Sequence, residues 1–135
     1  MIKKITLITI LLLTNLLFGQ VKIIFDTDIG GDADDLGALG MLHHFIDSGE
    51  CDLLAVGTFK NGYSVEAVDA INRYYGHPDI PIGGCEAELY FADWLYNNPI
   101  VENYPYELTY EEAKPASKLY REVLANQPDS SVVFV

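Results

Sequence analysis

The stretch KIIFDTDIGGDADDLGAL, from Lys22 to Leu39, decides the fold that this sequence predicts. It opens with an apolar, β-prone run and then carries five aspartates within ten residues, interrupted by two glycines. From Asp34 onward the apolar residues recur at three- and four-residue steps, which indicates a helix. The aspartates therefore lie on a loop that leaves a strand and enters a helix. They are Asp26, Asp28, Asp32, Asp34 and Asp35.

Five carboxylates on one short loop repel one another, and a bound cation would remove that cost. Oxygen ligands on a glycine-containing loop suit a hard cation. Ca²⁺ fits best because it accepts roughly six to eight oxygens in loose geometry. A simpler interpretation is an acidic helix start, with Asp34 as the cap and Asp35 near the helix dipole, but it accounts for two of the aspartates only. The loop therefore predicts a Ca²⁺ site at the carboxyl end of a strand, where open α/β sheets bind their ligands.

The rest of the chain repeats the alternation of strand and helix. Strands are predicted at 52–58, 80–82 and 131–135, and helices at 34–48, 65–75 and 115–126. Ser64 is the predicted cap of the second helix, and the long aromatic segment after Gly83 predicts an irregular loop. This order indicates an α/β fold with a parallel sheet and flanking helices, a Rossmann-type arrangement.

The two cysteines are predicted to stay free. Cys51 would precede the second strand and Cys85 would follow the third. In neighbouring parallel strands these positions lie at opposite edges of the sheet, about 15–20 Å apart. A disulfide needs Cα atoms within about 7 Å of each other.

The aspartate loop and a later stretch of the sequence resemble a known enzyme family. DTDIGGDADD is similar to the N-terminal signature of the inosine–uridine-preferring nucleoside hydrolases, with two extra residues between its glycine and its aspartate pair. The later stretch VGTFKNGYSVEAVDAINRYYGHPDIPIGG resembles that family's second strand, substrate loop, second helix and third strand. The resemblance implies a nucleoside hydrolase-like sheet. It also implies hydrolysis of the N-glycosidic bond of a ribonucleoside, which gives ribose and a free base.

The resemblance also implies roles for individual residues. Asp28 is expected to be a metal ligand and the base that takes a proton from a Ca²⁺-bound water, and Asp35 a metal ligand that binds through both oxygens. Asp34 is expected at the metal and at a ribose hydroxyl. The family's shorter motif has no counterpart for Asp32, so the sugar role is open between Asp32 and Asp34. Asn61 matches, loosely, an asparagine that contacts the ribose, but an asparagine before a glycine is equally typical of a turn.

Two other classes of function fit parts of the same loop. A Mg²⁺-dependent phosphohydrolase of the haloacid dehalogenase type would use Asp26 as its nucleophile, whereas a nucleoside hydrolase would use Asp26 to organise the loop. The phosphohydrolase leaves Asp34 and Asp35 without a role. A non-catalytic Ca²⁺-binding protein is the second alternative, although an EF-hand that starts at Asp26 would need a glutamate where Gly37 stands.

The two ends of the sequence carry further expectations. Residues 1–20 place Lys3 and Lys4 before an apolar run, as a secretory signal peptide does, which predicts export to the periplasm or out of the cell. Residues 21–135 resemble the N-terminal portion of a nucleoside hydrolase domain, so the fold is expected to be truncated and hydrolysis by this chain to be impaired. The apolar strand at 131–135 is expected to pair with another chain, which predicts a homo-oligomer.

The chain is strongly acidic, and its charge restricts the kind of partner. Twenty acidic and eight basic residues give a net charge of −12, and residues 1–20 contain two lysines and no acid, so the exported chain would carry −14. Such a charge repels nucleic acid and anionic membranes. Cations and neutral substrates are compatible with it, and the family resemblance implies a small-molecule nucleoside as the partner.

Overall fold

The computed structural model describes residues 19–59, 62–86 and 96–135, where a five-stranded sheet is flanked by helices. All strand pairs are parallel, which confirms the predicted α/β class and the Rossmann-like arrangement. The strands are β1 (Val21–Asp26), β2 (Cys51–Phe59), β3 (Ile82–Cys85), β4 (Lys114–Pro115) and β5 (Val132–Phe134), and the helices are α1 (Asp34–Asp47), α2 (Ser64–Tyr74), α3 (Asn97–Asn103) and α4 (Ala116–Ala125).

The order of the strands reverses its direction beside β1. The sheet runs β4-β3-β2-β1-β5, so the chain moves outward from β1 to β4 and then returns to the other side of β1. Beyond the last ladder pair, the Asp26 amide donates a hydrogen bond to the Val135 carbonyl at 2.8 Å. In open α/β sheets the point where the direction reverses is where ligands bind, at the carboxyl ends of the strands. Here that point lies between β1 and β5.

One face of the sheet packs against α1 and α2. Phe25 of β1 and Leu53 and Val56 of β2 bury their side chains there. Leu53 and Val56 reach the same face because a bulge interrupts the pairing of β1 with β2, which leaves Leu54 as an extra residue. The apolar residues buried in this core are Phe25, Ile29, Leu39, Leu53, Val56, Val65, Val68, Ile71 and Ile82.

The opposite face packs against α4, and glycines let the helix approach the strands. A Cβ atom on Gly83 would lie 2.7 Å from the Cα atom of Ala116, and one on Gly57 would overlap the Tyr120 hydroxyl. Backbone cannot move aside cheaply, so Gly83 has to be a glycine, whereas a Cβ atom at Gly57 would force the Tyr120 side chain to move. This close packing explains why α4 covers β2 and β3 directly.

The third strand differs from its prediction at 80–82. It begins at Ile82, because Pro81 has no amide hydrogen and takes part in the sheet only by accepting a hydrogen bond from the Val56 amide at 2.9 Å. The glycines that follow carry the pairing onward to Phe59 and to β4. In the described part of the aromatic segment, α3 and β4 form where an irregular loop was predicted, and the stretch 104–113 between them is irregular as predicted.

The predicted cap of α2 is wrong, whereas its length is confirmed to within one residue. Tyr63 is the N-cap, in a left-handed conformation with φ of 54°, and Ser64 is the first helical residue. The Ser64 hydroxyl donates instead to the carbonyl of Ile29, because the aspartate loop packs against this end of the helix. Cys51 and Cys85 are free, as predicted.

Two predictions concern the N-terminal segment and membranes. Of the predicted signal peptide, residues 1–18 lie outside the described residues. Within the described ranges, no helix is long and apolar enough to cross a membrane.

Candidate functional site

The aspartate loop leaves the carboxyl end of β1 at the point where the strand order reverses. Its backbone is anchored by neutral residues: the Thr27 amide donates to the Gly57 carbonyl at 3.0 Å, and the Ile29 amide donates to the Thr27 hydroxyl at 3.1 Å. The side chains of Thr27 and Ile29 are buried, whereas the side chains of Asp26 and Asp28, which alternate with them, are exposed. The alternation of strand β1 thus continues into the loop and presents carboxylates at the sheet edge.

Asp28 and Asp35 form the first carboxyl pair. The pKa of Asp35 is raised to about 6, chiefly by partial burial and then by the Asp28 carboxyl, which lies within hydrogen-bonding reach and is negatively charged. The Thr27 hydroxyl acts in the opposite direction, and the charge of Asp34 adds to the rise. Two carboxylates this close cannot both be ionised cheaply unless a proton or a cation lies between them.

Asp32 and Asp34 form the second pair, on the exposed side of the loop. The hydrogen bond between them raises the pKa of Asp32 and lowers that of Asp34, whose carboxylate also accepts the Asp35 amide at 3.0 Å. The charge of Asp28 contributes to the rise at Asp32. The four carboxylates therefore share one electrostatic neighbourhood, although they are arranged as two pairs.

Asp26 stands apart from these pairs, on the side of α4. The Tyr120 hydroxyl donates to its carboxylate at 3.0 Å. Burial and the negative charge of Asp26 raise the pKa of Tyr120 well above its usual value. The contact fixes Asp26 to α4 and keeps it away from the partners that Asp28 has.

Asn97, at the start of α3, holds the aspartate loop and was not predicted from the sequence. Its side chain is fully buried, and its amide nitrogen donates to the Ile29 carbonyl at 3.0 Å and to the Gly62 carbonyl at 2.8 Å. The same nitrogen lies 3.2 Å from the Ser64 hydroxyl. Pro99 was the available signal, because proline is favoured in the first turn of a helix and so indicates that a helix begins here.

The predicted ribose contact, Asn61, lies outside the described residues. The flanking residues are described: Phe59 ends β2, and Gly62 adopts a left-handed conformation with φ of 68°. The loop that carries Asn61 thus leaves the same edge of the sheet as the aspartates. Its contact with a sugar stays a prediction.

The loop carboxylates suit a hard cation in their chemistry, although they do not form a complete ligand set. Among the described residues, no three acidic, histidine or cysteine side chains converge on one point. In the same ranges, every ion pair made by a lysine, arginine or histidine involves an acid outside the loop. Asp28 and Asp35 therefore offer uncompensated oxygen ligands whose mutual repulsion a divalent cation would relieve, with water completing the shell.

Comparisons of the chain with protein-family models, with curated proteins and with solved structures give no match. The functional interpretation therefore depends on the residues and geometry of the aspartate loop.

Proposed function

We propose that this chain binds Ca²⁺ through Asp28 and Asp35 and belongs to a nucleoside hydrolase, which cleaves the N-glycosidic bond of a ribonucleoside. The observation that carries the proposal is the Asp28–Asp35 pair at the reversal point of the sheet, where burial and repulsion raise the pKa of Asp35 to about 6. The resemblance of DTDIGGDADD to the nucleoside hydrolase signature supports the choice of reaction.

The proposed chemistry gives roles to the acids around Asp28. When bound, Ca²⁺ would lower the pKa of a coordinated water. Asp28 accepts a proton from the attacking water as a general base. Departure of the nucleobase leaves a sugar with oxocarbenium character, which fixed carboxylates stabilise through their negative charge. Asp34 or Asp32, both exposed on the loop, would bind a ribose hydroxyl, and Asn61 would contact the sugar from the loop after β2.

The haloacid dehalogenase alternative predicts a different use of the same strand end. Its nucleophile would be Asp26, which accepts a hydrogen bond from the Tyr120 hydroxyl at 3.0 Å. It accounts for Asp28 as the second aspartate of a DxD motif, but it assigns no role to Asp35. The two alternatives therefore differ in the metal, the essential aspartate and the product.

Calcium titration of the full chain by calorimetry, combined with product assays, tests the proposal. We expect Asp35→Asn to weaken Ca²⁺ binding at least tenfold, because it removes a charged ligand. Asp129→Asn, which removes the same charge at an exposed turn, is the matched control and should leave the affinity unchanged. Release of the nucleobase from inosine or uridine should depend on Ca²⁺. Its rate should fall about 10²–10⁴-fold in Asp28→Asn, as expected when a general base is lost.

Three results would overturn the proposal. The first is a wild-type chain that does not bind Ca²⁺, and the second is an affinity that Asp35→Asn leaves unchanged. The third is Mg²⁺-dependent release of phosphate from a phosphomonoester that is lost in Asp26→Asn, since this identifies the phosphohydrolase instead.

A further inference from the structure

Asn97 joins three parts of the chain at the edge of the sheet. Its amide nitrogen contacts Ile29 in the aspartate loop, Gly62 in the loop after β2 and Ser64 at the start of α2, at 3.0, 2.8 and 3.2 Å. A side-chain amide has two hydrogens to donate, so both are used within this cluster. Asn97 thus connects the loop of the proposed cation site with the loop that carries Asn61.

The Ile29 carbonyl is the point where these contacts meet. It accepts from Asn97 and also from the Ser64 hydroxyl, at 3.2 Å. The Ile29 amide is held by the Thr27 hydroxyl, and the Ile29 side chain is buried. Both peptide groups of Ile29 are therefore fixed. Because Asp28 directly precedes Ile29, the backbone from which its carboxylate projects is fixed as well.

The other side-chain atom of Asn97 does not add to the stability of the fold. Among the described residues, its carbonyl oxygen has no hydrogen-bond partner although it is buried. A buried acceptor without a partner destabilises the folded state. Asn72 carries a buried amide atom of the same kind, so the feature that distinguishes Asn97 is the set of contacts from its nitrogen to the two loops and to α2.

We propose that Asn97 is a positioning residue, which holds the Ile29 and Gly62 carbonyls so that Asp28 faces Asp35 in the arrangement that binds the cation. The inference rests on the proposed Ca²⁺ site. Residues that orient metal ligands typically change metal affinity about 10- to 100-fold when they are mutated. The same range is expected for Asn97.

The test compares Asn97→Ala with Asn72→Ala in the full chain. Asn72 is a matched control, because it is also fully buried and also has one unpartnered amide atom in the described structure. Its hydrogen bond goes to the His43 side chain, at 2.9 Å. It lies about 12 Å from Ser64 along α2 and touches none of the loop residues. Both variants should lower the stability measured by urea unfolding.

Ca²⁺ affinity, measured by calorimetry under conditions where both variants are folded, separates the two. Asn97→Ala should weaken binding about 10- to 100-fold, whereas Asn72→Ala should change it less than about twofold. If Asn97→Ala does not fold, Ser64→Ala removes one of the two donors to the Ile29 carbonyl and should weaken binding about three- to tenfold. Affinity equal to the wild type in Asn97→Ala, or in Ser64→Ala when Asn97→Ala does not fold, overturns the inference.

Hydrogen–deuterium exchange without Ca²⁺ provides a second measurement, which does not depend on the proposed function. Exchange in the peptide that covers 27–35 should rise in Asn97→Ala and stay at the wild-type level in Asn72→Ala. A wild-type chain that fails to bind Ca²⁺ would refute the proposed site, and the exchange result would then decide whether Asn97 holds the loop. Unchanged loop exchange in Asn97→Ala overturns the positioning role in either case.

Discussion

Replacing Asp35 with asparagine is expected to stabilise the chain at neutral pH when no divalent cation is present. In the folded chain, partial burial and the neighbouring Asp28 raise the pKa of Asp35 from its usual 3.8 to about 6. Below about pH 4 the carboxyl is protonated in both the folded and the unfolded chain, so the substitution has little effect there. As the pH rises to about 6, the unfolded chain loses its proton first and the wild type loses stability.

The size of the effect follows from the shift in pKa. The rise from 3.8 to about 6 corresponds to about 3 kcal/mol at roughly 1.36 kcal/mol per unit. Because the side chain is only partly buried, solvent screening reduces this to about 1 kcal/mol. The variant also loses about 0.3–0.5 kcal/mol from a carboxylate in the first turn of α1, next to the positive end of the helix dipole. The net gain at pH 7.5 is therefore about 0.5–0.7 kcal/mol.

Calcium should reverse the order of stability. At a Ca²⁺ concentration one hundred times its Kd, binding stabilises the wild type by about 2.7 kcal/mol, and a variant that binds tenfold more weakly gains about 1.4 kcal/mol. Urea unfolding from pH 4 to 8, in EDTA and in Ca²⁺, measures both effects. Asp129→Asn serves as the control for the change in net charge.

If Asp35→Asn in EDTA is no more stable than Asp129→Asn at pH 7.5, the Asp35 carboxylate does not destabilise the folded chain. The raised pKa of Asp35 is contradicted if the difference in the free energy of unfolding between the two variants does not grow between pH 4 and pH 6. A gain that Ca²⁺ leaves unchanged would preserve the electrostatic argument and contradict the assignment of Asp35 as a metal ligand.

Three further predictions test the packing around the site by urea unfolding. Tyr120→Phe removes the hydrogen bond to Asp26 at 3.0 Å and should cost about 1 kcal/mol at pH 7, and an unchanged stability would contradict a structural role for this contact. Gly83→Ala places a Cβ atom 2.7 Å from the Cα atom of Ala116 and should cost about 1–3 kcal/mol or more, because backbone cannot move aside as a side chain can. Burial lowers the pKa of His43, so stability should fall as the pH drops below the usual 6.5, where the unfolded chain takes up its proton first; His43→Gln should weaken this dependence.

The strand, loop and helix from Val21 to Asp47 could be predicted because their signals are local. Apolar spacing marks β1 and α1, and Gly49, with φ of 76°, ends the helix as its position suggests. The boundaries of β3 could not be predicted in this way. They depend on Gly83 and Gly84, whose bare backbone is covered by Ala116 and Tyr110 from much later in the chain.

The site was predictable in its residues but not in its geometry. Charge density singled out the aspartates and the family resemblance placed Asp28 and Asp35 at one metal, yet the sequence does not reveal that Asp32 meets Asp34 as a second pair. These pairings depend on how the loop turns before α1. The role of Asn97 depends on a contact with Ile29, which is 68 residues away in the sequence. Local sequence patterns do not indicate such a contact.

The side chains that hold the aspartate loop are neutral, and this has a consequence for its chemistry. Thr27, Ser64 and Asn97 fix the loop by hydrogen bonds, whereas in the described ranges Arg73 and Lys114 pair with acids elsewhere. A lysine or arginine in place of Asn97 could donate to the same carbonyls, but its charge would lower the pKa of Asp35 and relieve the repulsion from Asp28. A cation would then gain little by binding. Neutral donors fix the geometry and leave the negative charge in place, which is the combination that a cation site requires.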